Sequence, residues 1–291
     1  MTDLRLKFSS KCFNGFQKIY SHYSKVTNCE MQFAIYLPLE CEQYPLPVLY
    51  FLSGLGFDHI DFIEKSGAQK AAAQQSVILV APDSSPRNTN IPNENGEWNF
   101  GIKASYYINA TQPPWSNHYK MFSYITEELP KIIDDNFSTL PGERGIMGFS
   151  VGGHGAFLSA FKNPCLYRSL STLAPVCDIL KAPHSAHALE LYLGPQYDSN
   201  WDEWSAINLA SCYEGPPLHI LIDQGSADKY LKAHLFTKEF MEACEKSGIE
   251  IDYNLRDGFG HNYYFIKSFI EDHVAYHARI LHRFQMKNSK F

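Results

Sequence analysis

Arg144-Gly145-Ile146-Met147-Gly148-Phe149-Ser150-Val151-Gly152-Gly153-His154-Gly155-Ala156 is the stretch on which the reading of this chain turns. A short apolar strand runs into Gly148-x-Ser150-x-Gly152 and from there into a segment with helical spacing, the context of a serine presented on a sharp strand-to-helix turn. The glycines have a steric reason. A serine in such a turn sits in strained backbone geometry with its oxygen exposed, and side chains two positions to either side would collide with the neighbouring strand and helix. The helix start also aims free N–H groups and the positive end of its dipole at the serine, which favours a developing oxyanion. His154, beside this turn, reads as a helix-start hydrogen bonder rather than a second base.

To either side of the turn, short runs rich in β-branched and aromatic residues predict strands at 31–37, 48–52, 77–80, 145–147, 170–173, 218–222 and 251–255. Helical spacing predicts helices over 122–134, 151–161, 231–246 and 264–284. In the last of these Ile266, Ile270, His273, His277, Ile280 and Phe284 form one stripe. Alternating strands and helices imply a mostly parallel sheet with helices on both faces, an antiparallel edge formed by the earliest strands, and ligands bound beyond the carboxyl ends of the strands. Stretches 84–115 and 178–208 break the rhythm and are too long for simple turns, so they are expected to cross the top of the sheet and build a pocket. With no repeats or flexible linkers, residues 1–291 read as a single domain with these two excursions.

A serine hydroxyl becomes a strong nucleophile only when a histidine takes its proton and a carboxylate orients that histidine. Downstream, strand 218–222 runs into Asp223-Gln224-Gly225-Ser226-Ala227-Asp228, and strand 251–255 into Arg256-Asp257-Gly258-Phe259-Gly260-His261-Asn262. His261, in a glycine-flanked loop opening the last helix, is the natural base. Asp228 is favoured as the acid because it lies out in its loop, whereas Asp223 caps the strand end and ties down the turn. The N–H groups of Val151 and, after the strand ending Tyr50-Phe51-Leu52, of Leu55 or its neighbour would form an oxyanion hole.

Composition narrows the partners. The 291 residues are 45% hydrophobic and 19% charged, a globular profile. A net charge of −6 gives no general attraction to nucleic acid or anionic membrane. The first residues lack the apolar stretch of a signal peptide, and no run approaches a membrane span, so a soluble, cytoplasmic protein with no membrane partner is expected. Seven scattered cysteines without a CxxC pair read as reduced thiols and support no metal site.

The chain as a whole resembles the S-formylglutathione hydrolases, or esterase D, within the α/β-hydrolases. The matching pieces include Leu52-Ser53-Gly54-Leu55, Ala81-Pro82-Asp83-Ser84-Ser85-Pro86-Arg87, Asn109-Ala110-Thr111-Gln112 with Pro114-Trp115, Leu221-Ile222-Asp223-Gln224-Gly225 and His261-Asn262-Tyr263-Tyr264-Phe265-Ile266. The resemblance implies an α/β-hydrolase fold and a triad of Ser150, Asp228 and His261. It places the oxyanion donors on the backbones of Leu55 and Val151. It also implies hydrolysis of S-formylglutathione to formate and glutathione through an acyl-serine, as in formaldehyde detoxification, without metal or organic cofactor, and a homodimer.

The departures cluster at the pocket. Gly56-Phe57 replaces Thr-Cys, Lys103 lies in an altered segment, and Ala182-Pro183-His184-Ser185 replaces Cys-Pro-Trp-Gly. Gly260 and Phe149 replace the residues often found before the catalytic histidine and serine. Trp115, His184 and Lys103 are therefore the substrate-pocket candidates. His184 would admit a different acyl or alcohol group, and Lys103 would meet a substrate carboxylate or remain a solvated loop lysine. Two other readings stay open: a short-chain carboxylesterase with a non-glutathione substrate, and a non-catalytic binding protein of the same fold.

Overall fold

The computed structural model describes residues 3–195 and 201–288, of which 283–288 are described by backbone alone. Nine strands form one sheet: β1 (Arg5–Lys11), β2 (Gly15–Ser24), β3 (Cys29–Pro38), β4 (Leu46–Leu52), β5 (Ile78–Pro82), β6 (Thr139–Phe149), β7 (Ser169–Leu173), β8 (His219–Gly225) and β9 (Glu250–Arg256). Their order is β1-β2-β3-β5-β4-β6-β7-β8-β9. Strands β1 to β3 join antiparallel to one another and to β5, and every pair from β5 to β9 is parallel. The seven expected strands correspond to β3 through β9, and the antiparallel edge is where the sequence places it.

The central strands are buried on both faces: β4, β5 and β7 have no residue that is even half exposed. That is why they read as continuous apolar runs, the signature of a parallel sheet covered by helices. The helices are α1 (His59–Lys65), α2 (Ala68–Gln75), α3 (Met121–Ser123), α4 (Leu129–Asn136), α5 (Val151–Lys162), α6 (Ala186–Leu193), α7 (Ala206–Ser211), α8 (Thr237–Ser247) and α9 (Tyr263–Asn288). Leu129, Phe157, Leu189, Ala206 and Phe240 carry α4 to α8 onto one core. Phe62, Ala71 and the α9 residues Phe265, Ile266, Ile270 and Val274 build a second core on the opposite face.

In α9 the expected stripe is buried at Ile266, Ile270, His273 and His277, while Ile280 is half-buried and the side chain of Phe284 lies outside the described residues. The two histidines meet hydroxyls of β7: His273 Nδ1 is 2.8 Å from Ser171 Oγ, and His277 is 2.6 Å from Ser169 Oγ and 2.8 Å from Ser171 Oγ.

Two expected helices are interrupted. The segment predicted over 122–134 extends from Met121 to Asn136 but widens into a π turn at Tyr124–Glu128. Pro130, two residues beyond it and lacking an N–H, cannot satisfy the carbonyl a normal turn would present to it. The segment predicted over 231–246 splits into a π turn, Leu231–Leu235, and α8, separated by Phe236 in the left-handed region at φ 54°.

The two excursions are tied to each other. Thr111 N donates to Tyr192 O at 2.7 Å, Gly101 N to Tyr192 Oη at 2.7 Å, and Tyr192 Oη to Ala104 O at 3.0 Å. Residues 196–200 of the second excursion lie outside the described residues. No helix among the described residues is long and apolar enough to cross a membrane.

Candidate active site

Ser150 occupies the junction of β6 and α5 with φ 57° and ψ −121°, a positive-φ conformation that costs a non-glycine residue of the order of 1–3 kcal/mol. Its neighbours leave room only for hydrogen at the flanking positions. A Cβ on Gly148 would stand 2.1 Å from Gly152 O, and one on Gly152 would stand 2.0 Å from Leu52 O. The turn is pinned from below, as Ser150 N donates to Leu173 O at 3.1 Å and Val176 N donates to Ser150 O at 3.0 Å.

The loops after β8 and β9 bring the partners to this serine. The Ser150 hydroxyl lies 2.9 Å from His261 Nε2, and His261 Nδ1 donates to Asp228 Oδ2 at 2.6 Å. Asp228 also accepts from Gln224 Nε2 at 3.1 Å and from Tyr230 N at 2.8 Å. Burial pushes its acidity the other way, yet the His261 contact and these donors hold the carboxyl below its ordinary value. It is thus an anion held against the ring of His261. His261 also packs against Phe149 and Tyr230, at 4.5 and 5.0 Å between ring centroids.

Asp223 has a different employment. Fully buried at the end of β8, it accepts from Asn254 Nδ2 and from Arg256 Nε, both at 2.9 Å, and so clamps β8 to β9.

Leu55 and Val151 flank the serine. A Cβ on Gly54 would lie 3.0 Å from Ser150 Cβ, so the loop after β4 passes in direct contact with the turn. Gly56 N donates to Lys103 O at 3.0 Å, and Tyr107 Oη to Ser53 O at 2.7 Å, holding that loop in place. Val151 is the first residue of α5, where an N–H has no intrahelical acceptor.

A cavity of about 230 Å³ opens over Ser150 and His261. Leu55, Phe57, Val176 and Leu235 give it an apolar wall, and His184, His234 and Lys229 give it polar ones. His184 is therefore at the cavity, as the sequence predicts. The other two pocket candidates are corrected. Trp115 is 4% exposed and packs edge-on against Phe100, Tyr119 and Tyr192, inside the aromatic core of the excursions. Lys103 turns away to Asp58 and Asp61, at 2.7 and 3.5 Å, and lends the site only its carbonyl. Their places are taken by Trp98, which lines the cavity at 62% exposure, and by Lys229. An aromatic left exposed in a pocket-forming loop is the signal that singles out Trp98. Nothing in the sequence separates Lys229 from other loop lysines.

His154, fully buried in α5, is pushed down to about 3 by burial. It stays neutral and takes no hydrogen bond of normal geometry. Asp58, His59 and Asp83 present potential ligand atoms within 4.8 Å of one another. Arg87 Nε donates to Asp83 at 2.9 Å, Arg87 Nη2 reaches Asp58 at 3.4 Å, and Lys103 completes the neutralisation. These carboxylates already hold two cations, which does not fit a metal ion.

A hydroxyl, an imidazole and a carboxylate in hydrogen-bonded series on a strand-to-helix turn define the chain's class: an esterase-type hydrolase of the α/β-hydrolase fold. The family model described as "Putative esterase" matches residues 24–276. The S-formylglutathione hydrolase of Rattus norvegicus is 44% identical over 96% of this chain and 99% of its own length, and that of Arabidopsis thaliana is 41% identical over 94% and 96%. The solved S-formylglutathione hydrolase of Agrobacterium tumefaciens superposes with a TM-score of 0.91 at 38% identity, covering 95% of this chain and 99% of that one. The chain belongs to the S-formylglutathione hydrolase family.

Proposed function

We propose that the chain hydrolyses S-formylglutathione to formate and glutathione, with Ser150 as nucleophile, His261 as general base and acid, and Asp228 as the carboxylate that orients it. The observation that carries this reading is the unbroken series Asp228–His261–Ser150 at the floor of the cavity, with contacts of 2.6 and 2.9 Å. His261 Nε2 takes the Ser150 proton as Oγ attacks the formyl carbon. The charge that develops on the formyl oxygen is met by the N–H groups of Leu55 and Val151. His261 then returns the proton to the departing sulfur, leaving a formyl-serine. Water attacks this ester, again through His261, and releases formate.

Turnover of S-formylglutathione compared with p-nitrophenyl acetate tests the substrate. A kcat/KM for the thioester well above that for the ester is expected, and a large advantage for the ester overturns the glutathione reading. Ser150→Ala is expected to remove turnover and labelling by a fluorophosphonate while the chain stays folded.

The finer readings belong to the same proposal. The chain acts as one domain spanning 1–291, in the cytoplasm, as a homodimer. Seven unpaired cysteines support a reducing compartment. Light scattering decides the dimer: a monomer's mass at micromolar concentration removes it.

A further inference from the structure

Two imidazoles with no part in acyl transfer face the cavity beside Ser150: His184 from the second excursion and His234 from the π turn after β8. Their Nδ1 atoms are 2.9 Å apart, with ring centroids at 5.1 Å, so the rings meet nearly head to head. At that separation one nitrogen donates and the other accepts. We propose that this pair is the cavity's carboxylate-recognition element, taking up one proton as an anionic substrate binds and, with Lys229, selecting acyl donors whose leaving group carries a carboxylate. The inference deepens, and for its natural substrate rests on, the reading above, since the thiol half of S-formylglutathione bears two carboxylates.

Proton counting limits the pair to a single charge. Neutral, it holds one proton between the Nδ1 atoms and one on an Nε2. A further proton makes both Nε2 atoms donors and keeps the shared bond, whereas yet another would set two N–H groups against each other. Burial, then the neighbouring His234 and His261, pushes His184 down to about 4, so the His184 ring carries no charge in the free enzyme near neutrality. An arriving carboxylate supplies the counter-charge that the site lacks, and proton uptake and anion binding then favour each other.

The surroundings suit this role. Asn99 Nδ2 and Tyr106 Oη donate to His184 O at 2.8 and 3.2 Å, and Trp98 stacks on the ring at 6.3 Å. His234 N donates to Tyr230 O at 3.0 Å, and the Tyr230 ring stands edge-on to His234 at 5.3 Å. The titratable groups facing the pair are thus Tyr106 from the first excursion, Lys229 and Tyr230 from the β8 loop, and His261 from the β9 loop. Lys232, on the turn of His234, borders a different hollow with Phe236. Among the described residues no carboxylate lines the cavity, and Asp228 behind it is occupied by His261, Gln224 and Tyr230.

The test uses a matched pair of acetate esters, 4-acetoxybenzoate and its methyl ester, which differ in the leaving group's charge. Both need Ser150 and His261, so any pH dependence of acyl transfer itself cancels in the ratio of their kcat/KM values. In the wild type this ratio is expected to fall about tenfold between about pH 6 and about pH 8, one proton being linked to anion binding. In His184→Gln and in His234→Gln the dependence is expected to vanish. A wild-type ratio that stays flat overturns the proposal whether or not the variants fold, and so does a slope that survives both substitutions. S-formylglutathione has no place in this experiment, so failure of the pair and failure of the glutathione reading appear in different assays.

Discussion

Five positions separate Asp223 from Asp228, and both are buried carboxylates held below their ordinary value against the opposing effect of burial. What differs is the partner. Asp223 is met by His273, Asn254 and Arg256, groups that belong to the body of the fold, whereas Asp228 is met by His261, whose other nitrogen faces Ser150. Asp228→Asn should therefore lower kcat/KM by about 10⁴, since an amide leaves the ring in the wrong tautomer, with a melting temperature close to wild type. Asp223→Ala should keep most of the turnover per folded molecule and lose about 2 kcal/mol, less than a fully buried pair would cost because Arg256 is partly exposed. Turnover and urea midpoints measured on the two variants check the division, and the opposite pattern would exchange the two roles. The order of Ser150, Asp228 and His261 along the chain, each after a strand, points to three side chains that the fold brings into hydrogen-bond contact. The pocket was less legible. Trp115 and Lys103 are conspicuous in the sequence, but whether a loop side chain faces the cavity or the core depends on contacts such as Lys103 with Asp58, formed between segments far apart in the chain.

At the scale of elements, the strand-to-helix turn depends on backbone contacts that no side chain can enter. Gly152→Ala would force a methyl group to within 2.0 Å of Leu52 O, the end of the adjacent strand β4. Neither β4 nor α5 can give way inside a core of this density, so the substitution should cost at least about 3 kcal/mol. A denaturation midpoint near wild type would contradict it. The same reasoning explains what periodicity revealed and what it hid. Buried parallel strands advertise themselves as apolar runs, and α9 as a stripe. Strand β1 has all seven residues exposed on an edge and holds only two apolar side chains, Leu6 and Phe8, so it carries no core signal. Helix α1 is too short to show a period, although Asp58 and Asp61 form a reciprocal cap at its start, with Asp58 accepting from Ile60 N at 2.9 Å and Asp61 accepting from Asp58 N at 3.1 Å. The break at Phe236 is a tertiary effect: Leu235 is fully buried and its carbonyl accepts from Cys177 N at 2.8 Å, which holds the π turn and carries His234 to the cavity.

Across the whole molecule, burial lowers the proton affinity of five histidines, His22, His59, His154, His184 and His277, spread over both faces of the sheet. Each stays neutral in the fold at a pH where the unfolded chain already protonates it. Below about pH 6.5 the unfolded state binds more protons than the native state, and stability falls as pH drops. Each histidine adds up to about 1.4 kcal/mol per pH unit until its folded value is reached. The depressed carboxylates Asp58, Asp223 and Asp228 act with the same sign at lower pH. Their stabilisation is complete above about pH 4 and is lost as pH falls through their folded values. Melting temperature should therefore hold steady near pH 7 to about pH 8 and drop steeply by about pH 5, before the carboxylates titrate. Calorimetry across that range checks this, and a melting temperature unchanged down to about pH 5 would exclude it. His154→Leu isolates one member of the set. It replaces a buried ring, whose nitrogens make no hydrogen bond of normal geometry, with an apolar side chain, and should shallow the slope by about one proton without loss of stability at neutral pH.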